Sequence, residues 1–126
     1  MSKTPSRIQA FRHAFEGLGY LLRTQPNARI HAAATMGVVA LGLWLRLEAR
    51  SWALLVMAIT AVWVAEAGNT ALEALVDLAS PEIHPTAKAA KDTAAASVLL
   101  AAGGAVVIGL LVLGPPLWAR LAPLLP

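Results

Sequence analysis

Apolar, uncharged residues fall into three long blocks along this chain, and a shorter periodic pattern precedes them. From Ile30 to Leu45, between Arg29 and Arg46, there are 16 residues without Lys, Arg, Asp or Glu. A second block runs from Ser51 to Val76, broken only by Glu66 and Glu73, and a third of 22 uncharged residues covers Thr93 to Gly114. As a helix the first block is about 24 Å long, slightly short of a hydrocarbon core of about 30 Å. Arg29 and Arg46 can extend their stems toward the headgroups and make up the difference. Each block therefore predicts a membrane-spanning helix, over residues 29–47, 51–77 and 92–114, with Pro115-Pro116 ending the third.

Before the first span, Ile8, Phe11, Phe15, Leu18 and Leu22 recur at spacings of 3, 4, 3 and 4. That rhythm puts them within an arc of about 80° on one helix, with Arg12, His13 and Glu16 on other faces. An amphipathic helix over residues 6–24 is expected, lying in the interface with its apolar side in the acyl boundary.

Composition agrees with a membrane chain. The 126 residues make one domain, 58% hydrophobic and 13% charged, far less charge than a soluble surface of this size needs. With no cysteine, disulfides and thiolate chemistry are excluded. The net charge of +3 suits anionic lipid and does not resemble a nucleic-acid footprint. The first 29 residues carry five basic residues and no long apolar core, unlike a cleaved export signal. Three spans put the amino end and the 77–92 connection on one side, with Lys3, Arg7, Arg12, Arg23, Arg29, Lys88 and Lys91. The other side has Arg46, Arg50 and Arg120, so seven against three makes the first side cytoplasmic.

The second span carries the chemistry. Glu66, Asn69, Glu73 and Asp77, at spacings of 3, 4 and 4, form one stripe about 80° wide. Measured from Ser51, Glu66 lies about 22 Å along the helix and Asp77 about 39 Å, so Glu66 is inside the bilayer and Glu73 near its boundary. A carboxylate in hydrocarbon costs several kcal/mol unless it is neutral, paired or wet. Asn69 alone would suit helix packing, but two acidic groups on one face repel each other and favour a functional reading. In the next connection Glu82, His84, Lys88, Lys91 and Asp92 add charge, with Pro85 suited to a helix start. A lysine there can neutralise phosphate, and carboxylates can hold Mg²⁺. There is no P-loop, and His13, His31 and His84 are too scattered to suggest a zinc site. Ala33/Gly37 and Ala101/Ala105/Gly109 place small residues at fourfold spacing, which allows close approach of spans.

From Glu66 through Ala67-Gly68-Asn69-Thr70-Ala71-Leu72-Glu73-Ala74-Leu75-Val76 to Asp77, the chain closely resembles the signature of the prokaryotic diacylglycerol kinase/undecaprenol kinase family. The likeness extends to Asn27-Ala28-Arg29-Ile30-His31, to Lys88-Ala89-Ala90-Lys91-Asp92, and on to Leu99. The resemblance implies an all-α membrane protein, a surface helix followed by three spans, assembled as a homotrimer with sites shared between subunits. It implies transfer of the γ-phosphate of Mg-ATP to a lipid alcohol at the cytoplasmic face of a bacterial cell membrane. On this likeness Glu66 is the general base and Glu73 a Mg²⁺ ligand, with Asn69 and Asp77 supporting them. Glu82, His84, Lys91 and Asp92 match the nucleotide-contacting region, and Asn27, Arg29 and His31 a lipid-facing stretch. Two positions depart from the pattern: Gln25 stands where many members carry a second acidic metal ligand, and Gly68 replaces an aliphatic residue.

The Asn27–His31 stretch looks more like the undecaprenol kinase branch, so a polyprenol is the expected acceptor and diacylglycerol the alternative. A small ion-coupled transport protein would also need buried carboxylates, but it gives Lys91-Asp92 no purpose. A purely structural subunit leaves Glu66 unexplained.

Overall fold

The computed structural model describes residues 6–125; Lys3, counted above in the charge balance, lies outside them. Four helices follow one another, α1 (Arg7–Thr24), α2 (Pro26–Leu45), α3 (Ala49–Ala79) and α4 (Pro85–Leu121), and a 3₁₀ turn at Ala122–Leu124 closes the chain. Three of these, with α4 counted through the 3₁₀ turn, are long and apolar enough to cross a membrane.

Each boundary has a local cause. Ser6 and Gln9 form a capping box at the start of α1: the Gln9 N–H donates to the Ser6 hydroxyl, and the Ser6 N–H donates to the Gln9 side chain at 2.8 Å. Pro26 drives Gln25 into extended backbone, which ends α1 and starts α2 one residue later. The carbonyls left open at the end of α1 are then satisfied from beyond the break. Gln25 N–H donates to Leu21 O, Arg29 Nε to Leu22 O at 2.9 Å, and Arg29 Nη2 to Arg23 O at 2.6 Å. At the other end of α2, Arg46 takes a left-handed conformation (φ 53°), turning the chain into α3. His84 caps α4, its Nδ1 accepting from Thr86 N–H ahead of Pro85.

Pro115-Pro116 does not end the third span, contrary to the expectation from sequence; α4 continues through both prolines to Leu121. Proline's fixed φ is compatible with a helix, and its cost is a missing donor and a clash with the residue before it. Gly114 has no Cβ for that clash at Pro115, and Pro116 follows a residue whose φ is already fixed at a helical value. Downstream, Leu117 packs onto the apolar core and the Arg120 guanidinium sits 5.0 Å above the Trp44 ring, so tertiary contacts hold the last turns in place.

The bundle is tight at this end. Leu45, Leu55 and Leu113 form its core, flanked by Val38, Leu41, Leu47, Trp52, Val112 and Leu117. Gly42 is buried there because a Cβ on it would stand 2.7 Å from a Trp52 ring carbon. By contrast, a Cβ at Gly37, Gly103, Gly104 or Gly109 would meet nothing within 4 Å, so the small-residue spacings do not produce close approach within one chain. From this core, where Leu41, Leu55, Leu113 and Leu117 line it, an apolar cavity of about 530 Å³ runs between the spans to His31 and Ala102. The chain buries little of its three long helices, least of all α4, and leaves their outer faces for lipid or further protein to cover.

Gly42→Ala is expected to destabilise the purified protein by about 1–3 kcal/mol through overpacking against Trp52. Gly17→Ala, where a Cβ meets nothing, should hold or slightly raise the melting temperature in detergent. Equal melting temperatures for the two variants would remove the α2–α3 contact as a source of stability.

Candidate active site

Helix α3 presents Glu66, Asn69 and Glu73 to one side, as their spacing requires. Glu66 is 1% exposed and is the largest fully buried side chain among the described residues. Opposite it on α2, His31 places Nε2 3.6 Å from Glu66 Oε2. That separation is too long for a hydrogen bond, and neither atom has another partner. One turn further, Asn69 Nδ2 donates to Glu73 Oε1 at 3.3 Å. Asn69 Oδ1 and Thr70 Oγ1 are also buried without a partner. Buried polar atoms without partners are costly and uncommon, and four of them are gathered here.

A hydrogen-bond chain holds α2 in register with α3. Trp63 Nε1 donates to Thr35 Oγ1 at 3.1 Å, and that hydroxyl donates to the His31 carbonyl at 2.7 Å. The side chain that reaches Glu66 is thus tied, one turn along α2, to the helix that carries Glu66.

Three cavities meet end to end here. The apolar cavity between the spans reaches His31 and Ala102. Those two residues also line a second cavity, of about 330 Å³, with Gln25, Asn27, Glu66, Asn69 and Glu73. Glu73 and Ala95 in turn belong to a third, of about 480 Å³, which holds Asp77, Glu82, His84, Lys88, Lys91 and Asp92. In that third cavity Lys91 Nζ donates to Asp77 Oδ1 at 2.7 Å, joining α4 to α3, and Lys88 pairs with Asp92 one turn along α4. Apolar surface, the buried Glu66 with the half-buried Glu73, and the lysines therefore follow one another along the molecule.

Residues 12–113 match the model of the prokaryotic diacylglycerol kinase family. The chain belongs to that family. It is 43% identical over 114 residues to a diacylglycerol kinase of Synechocystis sp., an alignment covering 90% of this chain and 65% of that protein. It is also 38% identical over 110 residues to the undecaprenol kinase of Bacillus subtilis, covering 87% of this chain and 89% of that one. The diacylglycerol kinase of Escherichia coli is 31% identical over 100 residues, or 79% of this chain and 82% of that protein. Membership carries the enzyme class of the family, an ATP-dependent lipid kinase. It leaves the ion-transport and purely structural readings without support.

For this diacylglycerol kinase family member, most of the residues singled out from sequence converge. Gln25, Asn27, His31, Glu66, Asn69 and Glu73 line one cavity, and Asp77, Glu82, His84, Lys91 and Asp92 line the next. Arg29 does not join them: its guanidinium is committed to the carbonyls that end α1. Among the described residues no three His, Asp or Glu side chains cluster closely enough to hold a metal. The open space around Gly68 shows that its missing side chain is not used for close packing inside the chain.

Thr35, Trp63 and Thr70 were not indicated by the sequence pattern, because a tryptophan and two threonines in an apolar helix read as ordinary span residues. The wall contributed by α4 had a readable signal: Lys91, Ala95, Val98 and Ala102, at spacings of 4, 3 and 4, lie on one face.

Arg29→Ala is expected to speed amide exchange over the last turn of α1, residues 21–25, more than elsewhere in the protein. Exchange rates there equal to those of the parent would show that the two guanidinium bonds do not hold the α1–α2 junction.

Proposed function

We propose that this family member phosphorylates undecaprenol, with ATP as donor and Glu66 as the general base. We further infer a homotrimer in a bacterial cell membrane, with its sites opening to the cytoplasm. One observation carries the reading: Glu66, 1% exposed, lines a cavity that shares His31 and Ala102 with an apolar cavity and Glu73 and Ala95 with a lysine-bearing one. A lipid alcohol needs the first neighbour and a nucleotide the second.

In the proposed reaction the lipid chain stays among the spans and its hydroxyl enters the polar cavity beside Glu66. The Glu66 carboxylate takes the hydroxyl proton as the oxygen bonds to the γ-phosphorus and the bond to the β-phosphate bridging oxygen breaks, releasing ADP. Lys91, held over the site by Asp77, neutralises phosphate charge, and Glu82, His84 and Asp92 line the nucleotide side. Phosphoryl transfer depends mainly on positioning and charge neutralisation. Glu73 has one carboxylate oxygen occupied by Asn69, and the unpartnered Asn69 Oδ1 and the Gln25 amide are near enough to line the same cavity. These sparse oxygen donors suit Mg²⁺, which keeps most of its ligands from phosphate and water. Bound there, Mg²⁺ would offset the charge of the β- and γ-phosphates.

The Asn27–His31 stretch and the Bacillus subtilis relative, matched over 89% of its length, favour a polyprenol. The second reading, diacylglycerol as acceptor, draws on the higher identity to the Synechocystis relative. The exposed outer faces of α2 to α4 leave room for the neighbours a homotrimer requires.

Glu66→Gln is expected to lower kcat by about 10²–10⁴-fold while the oligomer stays folded. Lys91→Met should raise the KM for ATP about tenfold with little change in melting temperature, since an exposed ion pair adds little stability. Undecaprenol and diacylglycerol compared with Mg-ATP in mixed micelles decide the acceptor. Better turnover of diacylglycerol would replace the polyprenol assignment, and undiminished turnover by Glu66→Gln would remove the base.

A further inference from the structure

The mechanism above uses one side of Glu66 and leaves His31 unassigned except as a wall. Yet His31 Nε2 and Glu66 Oε2 are complementary, 3.6 Å apart, both buried and both without any other partner. The imidazole itself is 18% exposed, so one ring edge is sealed against Glu66 while the rest borders the cavities. His31 is one of two residues shared by the apolar cavity and the carboxylate cavity, the other being Ala102.

We propose that His31 is a positioning residue for Glu66. Its Nε2–H holds Glu66 Oε2, so that the remaining carboxylate oxygen is the one presented to the lipid hydroxyl. The inference rests on Glu66 being the base, and it adds a partner that fixes which oxygen reacts. Catalytic hydrogen bonds are often long in unliganded proteins and tighten when substrate is bound, and a small rotation of either side chain closes this gap. The backbone beneath His31 is already anchored, because its carbonyl accepts from Thr35, which accepts from Trp63 on α3.

Among the described residues no other charged donor faces Glu66; the Gln25 and Asn27 amides line the same cavity, and neither hydrogen-bonds Glu66 Oε2. On α4 the facing side chains are Ala95, Val98, Leu99 and Ala102, and Lys91 is engaged by Asp77. On α3, Asn69 donates to Glu73. On α2, Arg29 is bound to α1 carbonyls. On α1, Arg12, His13 and Glu16 pair with one another at the exposed surface. Among the described residues the other ionisable group lining the cavity is Glu73, whose Oε1 accepts from Asn69.

A lipid-contact role for His31, implied by the family resemblance, predicts a different result, and kinetics separate the two. The full chain is purified as His31→Phe, which fills the space without a donor, and as His31→Gln, which restores an N–H at similar reach. Both acceptor lipids are assayed with Mg-ATP. Positioning predicts that His31→Phe loses about 10–100-fold in kcat with the lipid KM within about threefold of the parent. His31→Gln should then recover most of that loss. A raised KM with kcat intact would assign His31 to the lipid instead, and a Gln variant no better than Phe would reduce it to a packing residue.

A second readout does not depend on turnover. In protein labelled with ¹⁵N-histidine, Glu66→Gln should move the ring-nitrogen resonances of His31, assigned by their loss in His31→Gln, and leave those of His13 and His84 in place. If Glu66→Gln keeps its activity but the His31 resonances move, the base assignment fails and the pairing stands. If Glu66→Gln is inactive and the His31 resonances stay where they were, the pairing alone is overturned.

Discussion

A carboxyl group held inside a membrane-spanning helix is the constraint around which the rest of this molecule is arranged. Glu66 is almost wholly shielded from solvent, in a helix whose other residues are chosen for lipid. Such a group is tolerated where polar neighbours and a route to water exist, and costs several kcal/mol where they do not. Here the neighbours come from three helices. His31 approaches from α2, Asn69 and Glu73 continue the polar stripe on α3, and α4 closes the space with Ala95, Val98, Leu99 and Ala102. The arrangement leaves several polar atoms without partners, an expense that a purely structural contact would not retain.

Holding His31 opposite Glu66 requires α2 to start at a defined place, and a proline sets it. Pro26 forces Gln25 out of helical conformation, which divides α1 from α2 and puts the Gln25 amide at the edge of the carboxylate cavity. The carbonyls exposed by the break are then capped by Arg29, a residue that also marks the lower boundary of the first apolar block. One arginine thus seals the junction, and the Trp63–Thr35 bond sets the register about two turns further along α2.

The two ends of the bundle have different tasks. At one end Leu45, Leu55 and Leu113 interlock, Gly42 lets Trp52 lie directly on the α2 backbone, and Arg120 covers Trp44. From that core toward the other end run three cavities that share lining residues, and their character changes from apolar to carboxylate to lysine. A membrane lipid and a soluble nucleotide come from different solvents, and a graded passage through the interface lets each be held in surroundings like its own.

Much of this was readable in the residues alone. Long uncharged blocks specify spanning helices because the backbone must satisfy itself in lipid. The 3, 4, 4 spacing of Glu66, Asn69, Glu73 and Asp77 places them on one stripe because a helix has a fixed period, and the family signature lies in that same stretch. Other features depended on contacts between segments distant in sequence. The helix runs through Pro115-Pro116 because contacts with α2 and the apolar core hold the turns beyond it, with Gly114 relieving the clash at Pro115. Arg29, on α2, donates to the last carbonyls of α1, since they lie within its reach. That His31 faces Glu66 follows from how α2 leans on α3, through a tryptophan and a threonine that no local pattern distinguishes. Periodicity fixes where a side chain stands on its own helix; only packing between helices decides what it meets.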